Sequence, residues 1–272
     1  MNILITGCSS GIGYFCAKEL QKNGHKVYAT CRDIKDVKRL QSEGLSAYKL
    51  DLMDSKSVYN AVDWIIERTG GKIDVLFNNG AYGQPGAVED LTRNVLKEQF
   101  ETNVFGTQEL TNLIIPYMRK NNFGRVVYNS SVLGIVSMKY RGAYNSSKYA
   151  VEGLCDTMRL ELEGSNVNVI LIEPGPIRSS FRKNALKKFK ANIDIKNSVH
   201  VDVYENTLER LEKTGDAPFT LGEDAVYDVL IKAISTKKPK NRYRVTFPTK
   251  LFWLLKRVLS SKILDFILRK LD

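Results

Sequence analysis

A chain of 272 residues with 43% apolar content suits one large α/β domain or two small ones and is too apolar to remain disordered. Only His25 and His200 are present, and the four cysteines show no Cys-x-x-Cys spacing, which argues against a histidine metal site or triad and for reduced thiols. The net charge of +11 is unevenly placed, because residues 232–272 hold twelve Lys or Arg against Asp265 and Asp272, a net +10.

The chain enters a strand at once at Asn2-Ile3-Leu4-Ile5. No basic stretch, apolar core and cleavage site precede it, so no secretory signal is expected and a cytoplasmic location is. Residues 3–6, 27–30, 47–50, 73–77, 126–128 and 167–172 read as buried strands, separated by amphipathic stretches of helix length. That alternation predicts a doubly wound α/β fold, a parallel sheet with helices on both faces. No repeat, low-complexity run or linker interrupts it before about residue 180, so one domain over 1–272 is the simplest reading.

The first strand runs into Thr6-Gly7-Cys8-Ser9-Ser10-Gly11-Ile12-Gly13 and then a helix through Gln21. Three glycines at such a junction allow a tight turn and let the backbone approach a pyrophosphate, with the helix N-terminus facing the negative charge. The second strand ends at Ala29-Thr30-Cys31-Arg32. Cys31 stands where an NAD-preferring fold places an acid for the adenosine ribose, and Arg32 follows it. A cation without the acid suits a 2′-phosphate, so NADP is favoured over NAD; the alternative is a solvated arginine opening the next helix. Asp51 either reaches the adenine or caps the helix starting at Asp54. Asn103 lies in mid-helix against propensity, either packed with its amide satisfied or placed to hold water and backbone at a site.

After the short strand at 126–128 the chain breaks into Asn129-Ser130-Ser131 and returns as a helix beginning near Tyr144. Tyr144 and Lys148 are four apart and share one helix face. A phenol of pKa about 10 is a poor acid or base at neutral pH unless a neighbouring cation stabilises its phenolate, and Lys148 is such a cation. Ser131 is placed to donate to a substrate oxygen facing the same phenol. The pairing alone proves little, since Tyr14 and Lys18 repeat it on what reads as a helix surface.

With these pieces in order, the chain resembles the short-chain dehydrogenase/reductase family from residue 2 to about 180. The likeness rests on the loop 6–13, Asn78-Asn79, Asn103, Ser131, Tyr144 with Lys148, and Pro174-Gly175-Pro176-Ile177. Tyr28-Ala29-Thr30-Cys31-Arg32 and Glu173-Pro174-Gly175-Pro176 are similar to the branch of retinol and hydroxysteroid dehydrogenases, and Phe219-Thr220-Leu221-Gly222 and Lys238-Pro239-Lys240 to bacterial aldehyde reductases. The resemblance implies a Rossmann-type fold with Tyr144 as proton donor or acceptor and Ser131 orienting the substrate oxygen. It implies that Lys148 lowers the phenol pKa and holds the nicotinamide ribose, and that Asn103 supports a water relay to Lys148. It extends cofactor contacts over Gly7, Ser9, Ser10, Gly11, Ile12 and Gly13, over Arg32, Asp51 and Leu52, over Asn79, Gly80 and Ala81, and over Pro174, Gly175 and Ile177. One departure is the order Asn79-Gly80-Ala81, where the family usually has Asn-Ala-Gly.

The apolar Val132, Leu133, Ile135, Val136, Met138, Tyr140, Phe181, Leu186 and Phe189 either surround a hydrophobic alcohol or carbonyl beside Tyr144 or pack a lid or subunit contact. Residues 178–220 are expected to form the lid, mobile over 180–200, and 249–270 a basic amphipathic tail helix. That helix sets Arg257, Ser261, Asp265 and Arg269 on one stripe and Leu251, Leu255, Leu259 and Ile263 on another. It is too charged to span a bilayer, and it either docks on protein or lies on an anionic membrane through 232–272. No basic motif interleaved with aromatics points to nucleic acid. The expected protein is thus an NADP(H)-dependent oxidoreductase of an apolar alcohol and its aldehyde or ketone, a homo-oligomer. Its rival is a non-catalytic nucleotide-binding module recruited by the basic tail.

Overall fold

The computed structural model describes residues 1–212 and 215–271. In chain order it sets β1 (Asn2–Ile5), α1 (Gly11–Lys22), β2 (Lys26–Cys31), α2 (Ile34–Ser42), β3 (Ser46–Lys49), α3 (Ser55–Thr69) and β4 (Val75–Asn78). Next, α4 (Arg93–Phe100) passes through a wide π turn (Glu101–Phe105) into α5 (Gly106–Lys120), followed by β5 (Gly124–Asn129), α6 (Gly142–Glu161) and β6 (Val167–Glu173). The remainder forms α7 (Phe181–Asn192), α8 (Val201–Glu212), α9 (Asp224–Ser235), β7 (Arg242–Arg244), α10 (Phe247–Val258) and α11 (Ser261–Leu268).

The strands form one parallel sheet in the order β3-β2-β1-β4-β5-β6-β7. Side chains alternate across each strand, so both faces of the sheet are apolar. Leu4, Leu76, Val126 and Leu171 face one core, with helices α3, α5 and α6 over it. Ile3, Ile5, Phe77, Val127 and Ile170 face the other, under α1, α2 and α9. Helix starts follow local chemistry: Asp33, Asp54 and Thr92 accept the backbone N–H groups of Lys35, Lys56 and Val95. Strand order reverses after β1, and this opens a crevice between the C-terminal ends of β1 and β4.

The six strands read from the sequence lie within two residues of their observed ends. β7 was not legible, because Arg-Tyr-Arg is short and charged. The segment read as a lid contains α7 and α8; its residues 213 and 214, like Asp272 of the basic tail, lie outside the described residues. The single tail helix over 249–270 is corrected: Leu259 and Ser260 are both extended and divide it into α10 and α11. The stripe of Leu251, Leu255, Leu259 and Ile263 does not form one buried seam either. Phe252 and Leu264 are the buried apolar residues, packed on Val132, Leu133, Ile135 and Val136, while Ile263 is 51% exposed.

Gly106 is required by packing, since a Cβ there would sit 1.7 Å from the Leu52 carbonyl oxygen. Gly153, exposed on α6, would meet nothing within 4 Å. Gly106→Ala is therefore expected to destabilise the fold by about 3 kcal/mol, the upper end for overpacking, and Gly153→Ala to stabilise it by ~0.5–1 kcal/mol. The midpoints of urea unfolding for the two variants check this.

Candidate active site

Ser131 lies at the end of β5 and is extended at φ −167°, its hydroxyl accepting the Leu133 N–H that starts a short helical turn. The ladder continues beyond β5, with Ser130 N–H donating to Ile172 and Val132 N–H to Pro174, so the strand end is fixed. Across from it, α6 carries Tyr144 in its first turn and Lys148 in its second. The Ser131 hydroxyl lies close enough to the Tyr144 phenol to favour its ionised form. The Lys148 ammonium donates to the Asn129 carbonyl at 2.7 Å and lies 5.5 Å from the Tyr144 ring centroid. All three side chains line one cavity of about 650 Å³, whose other end is the glycine loop.

Burial sets the electrostatics of the pair. It pushes the Tyr144 phenol up to about 12, and the neighbouring Ser131 hydroxyl only partly opposes this. It pulls Lys148 down to about 8, against the nearby Glu152 and Cys155. Lys148 is not among the groups that pull the phenol down here. The ammonium is drawn to the Asn129 carbonyl and the ring face, and desolvation of the phenolate dominates.

The glycine loop is held by close approach. Gly7 has φ +72°, and a Cβ on it would meet Gly80 Cα at 2.6 Å. The Thr6 hydroxyl accepts the backbone N–H groups of Asn79 and Gly80, and the Asn79 amide donates to the Thr6 and Gly7 carbonyls. At the Gly80-Ala81 departure, Gly80 is pressed on Gly7, and both Gly80 and Ala81 line the cavity. Ser10 stands at the N-cap of α1 without a side-chain cap bond, and no acid lies in the first turn. The first N–H groups of α1 therefore face the cavity beside Ser9, Gly11 and Ile12. An uncapped helix N-terminus behind a cradle that admits no Cβ fits a dinucleotide pyrophosphate. Pro174, Gly175 and Ile177 line the same cavity, Gly175 because a Cβ would meet the Thr246 hydroxyl at 2.2 Å.

Other expected residues lie elsewhere. Gly13 packs beneath the loop, where a Cβ would meet the Gly7 carbonyl at 2.4 Å. The Asp51 carboxylate accepts the Met53 N–H in a local turn, and Asp54, not Asp51, caps α3. Leu52 is buried under Gly80 and Gly106. Arg32 is exposed at the end of β2, outside the cavity lining. Asn103 is buried in the π turn with its amide satisfied: it brackets the Tyr82 N–H and carbonyl and donates to the Ser147 hydroxyl, making no direct bond to Lys148. Tyr14 and Lys18 both turn to Glu43, a surface pairing.

The apolar set divides. Val132, Leu133, Met138 and Phe181 line the cavity, and the Phe181 ring covers Tyr144 at 5.2 Å between centroids. Ile135 and Val136 pack under the tail, Phe189 and Tyr140 pack with Tyr204, and Leu186 is outside the lining. Sequence reading missed Pro248 and Phe252, tail residues that wall the cavity, and Arg39, whose guanidinium donates to the Ser9 carbonyl at 2.6 Å. No local pattern marks them, since each reaches the site only through tertiary packing.

Comparison with known proteins agrees with this geometry. The model of the short chain dehydrogenase family matches residues 1–190. The chain is 40% identical over 269 residues to the uncharacterized oxidoreductase YbbO of Escherichia coli strain K12, covering 98% of this chain and 94% of that one. It is 33% identical over 249 residues to a 3-ketodihydrosphingosine reductase of Bacteroides thetaiotaomicron, covering 89% and 87%. It is 32% identical over 258 residues to human 17-beta-hydroxysteroid dehydrogenase type 1, covering 90% and 77%. In fold it is similar to the closed form of a serine dehydrogenase complexed with NADP+, with a TM-score of 0.78 at 21% identity over 92% of this chain and 96% of that one. The chain therefore belongs to the short-chain dehydrogenase/reductase family of oxidoreductases, on the side of the retinol and hydroxysteroid dehydrogenases.

Proposed function

We propose that this oxidoreductase interconverts an apolar alcohol and its aldehyde or ketone using NADP(H), with Tyr144 as general acid and base. The observation that carries the reading is the convergence of Ser131, Tyr144 and Lys148 on a cavity that ends in the glycine cradle. A bound nicotinamide dinucleotide supplies or accepts the hydride. Gly7 and the α1 N-terminus would hold its pyrophosphate, and Lys148, with ammonium protons left after the Asn129 bond, its ribose. In reduction, Ser131 and Tyr144 donate to the oxygen as negative charge grows there. A phenol near 12 is fully protonated at neutral pH and suits that donation. Asn103 holds the backbone at Tyr82 and has one Oδ1 lone pair left for a water leading toward Lys148.

Support for an apolar substrate comes from Val132, Leu133, Met138, Phe181 and Phe252 around the Tyr144 end, and from relatives named for a sphingoid ketone and a steroid. Arg32 is the proposed partner of a 2′-phosphate, supported by the missing acid at Cys31. We read residues 1–272 as one domain whose segment 178–220, headed by Phe181, lids the cavity. A homo-oligomer belongs to the same reading, supported by the exposed Phe105 and Leu160.

The tail supports peripheral contact with an anionic membrane. Among the described residues no helix is long and apolar enough to cross one. The outer face of α10 nevertheless leaves Phe247, Leu254 and Val258 50–67% exposed at helical spacing, and α11 adds Ile263 and Phe266. Lys250, Arg257, Lys262, Arg269 and Lys270 surround them. On the inner side Pro248 and Phe252 wall the cavity, so this face borders the substrate's entrance.

Three outcomes are expected. Tyr144→Phe lowers NADPH-dependent aldehyde reduction by about 10²- to 10⁴-fold while NADPH affinity, read by fluorescence titration, stays within threefold; retained turnover removes Tyr144 from the chemistry. Arg32→Ala weakens NADPH by ~10-fold or more and leaves NADH nearly unchanged, the loss of a charge-assisted hydrogen bond; equal losses for both take Arg32 off the phosphate. Sedimentation with phosphatidylglycerol vesicles captures the wild type better than phosphatidylcholine does, with Leu254→Asp/Val258→Asp reducing capture about tenfold or more. Capture indifferent to lipid charge and to these changes rules the membrane reading out.

A further inference from the structure

The helix face that presents Tyr144 and Lys148 continues to Glu152, one turn further on and 9% exposed. Its Oε1 accepts the Ser130 hydroxyl at 2.5 Å, and Ser130 is the residue before Ser131. Its Oε2 accepts from the Arg242 guanidinium at 2.9 Å and 3.3 Å. Glu152 thus ties α6, which bears the phenol and the ammonium, to the end of β5, which bears the serine, and to β7. The fit is close, since a Cβ on Gly134 would meet the Ser130 hydroxyl at 2.8 Å and Glu152 Cγ at 3.0 Å.

The charged surroundings are few and named. Asp156 and Cys155 face Glu152 and Lys148 from α6 itself, with Asp156 paired to Arg159 and Arg242. Glu173 faces it from β6, ion-paired with Arg242 at 3.0 Å and with Arg244 at 3.2 Å. Arg242 and Arg244 come from β7, and Arg257 of α10 acts on Arg244. Arg159, Arg242 and Arg244 are each paired to a carboxylate, whereas Lys148 bonds a neutral carbonyl. The charge that favours its ammonium comes from one turn along its own helix.

Resting on the reading of Lys148 as a working ammonium, we propose that Glu152 is the positioning residue of the site. It bolts the Ser131 strand end to the catalytic helix and supplies the negative charge that keeps Lys148 protonated. Burial alone drives Lys148 down, and Glu152 leads the causes that oppose it. The ammonium is present below its folded pKa near 8 and is lost as pH rises through it. Removing the Glu152 charge therefore moves that loss to lower pH. Glu173, pushed up to about 7 by burial, titrates on the acid side of this limb.

The test separates charge from tether. Glu152→Gln keeps an oxygen for the Ser130 hydroxyl and removes the charge; Ser130→Ala removes the tether and leaves the Arg242 pair to hold the carboxylate. The Lys148 titration is read by NMR on protein carrying ¹³C at lysine Cε, assigned by difference from Lys148→Met, and needs no turnover. Glu152→Gln is expected to lower the Lys148 pKa by about one unit, a ~tenfold change in its ionisation constant, with the alkaline limb of kcat for aldehyde reduction moving in parallel. Glu152→Asp returns part of the shift. Ser130→Ala lowers kcat at every pH and leaves the limb in place. An unmoved Lys148 titration in Glu152→Gln, with activity lost equally at all pH, overturns the proposal, as does a limb displaced by Ser130→Ala. Should Glu152→Gln not fold, the Ser130→Ala limb and the Glu152→Asp titration decide. A shifted titration in a protein without reductase activity sinks the functional reading and leaves the pairing standing.

Discussion

The relative placement of the glycine cradle and the Tyr144–Lys148 pair depends on one half-buried amide, that of Asn79. Its Nδ2 donates to the carbonyls of Thr6 and Gly7, at the entrance of the glycine loop, and its Oδ1 accepts from the Asn129 side chain. The Asn129 carbonyl in turn holds the Lys148 ammonium. A continuous path of hydrogen bonds therefore runs from the loop after β1, across the end of β4, to the end of β5 and on to α6. Parallel strands bring these ends to one edge of the sheet, but the ladder does not specify how far apart the loops beyond it stand. The amide does, because each bond in the path tolerates only a few tenths of an ångström. Distance between two reacting centres is where catalysis is most sensitive.

Electrostatics follows from the same closure. A dry cleft penalises both charged forms of the pair, pushing the phenol up and the ammonium down. The ordinary gap between a tyrosine and a lysine is small, and here burial reverses their order, so a protonated phenol coexists with a lysine near its titration point. An oxygen that gains negative charge beside Tyr144 changes that balance, since an anion favours every donor around it. On the proposed reading the phenol is the proton donor, and its protonated state at neutral pH is the one burial favours.

What was legible in the sequence was local. Tyr144 and Lys148 share a face because the helix period dictates it, and the loop 6–13 carries its glycines where backbone must touch backbone, as the Gly7–Gly80 approach requires. Short continuous apolar runs in β1, β4 and β5 gave away the buried sheet. What was hidden came from long-range partners. Arg242 and Arg244 make β7 look like a solvated stretch, yet their charges meet Glu152 and Glu173 inside the fold. Arg39 reaches Ser9 across thirty positions. Asn103 was readable as an anomaly but not as a bracket on Tyr82, since the two meet only through the π turn that Gly106 permits.

The tail shows why a single amphipathic reading was insufficient. A continuous helix has one apolar stripe to spend, and a choice between docking inward and lying on a surface then excludes one of them. The extended pair Leu259 and Ser260 removes that constraint. Each short helix turns one side to the protein, through Phe252 and Leu264, and keeps apolar side chains outside. The inner contacts are firm: Lys256 donates to the Ile135 carbonyl, and the Arg244 guanidinium lies 3.9 Å over the Trp253 ring. Because Arg244 also binds Glu173, which shares Arg242 with Glu152, the packing that seats the tail is continuous with the charges behind Ser130 and Lys148. The basic segment is thus part of the wall of the site, and its outer face is carried at a fixed position beside the cavity that Phe252 helps to close.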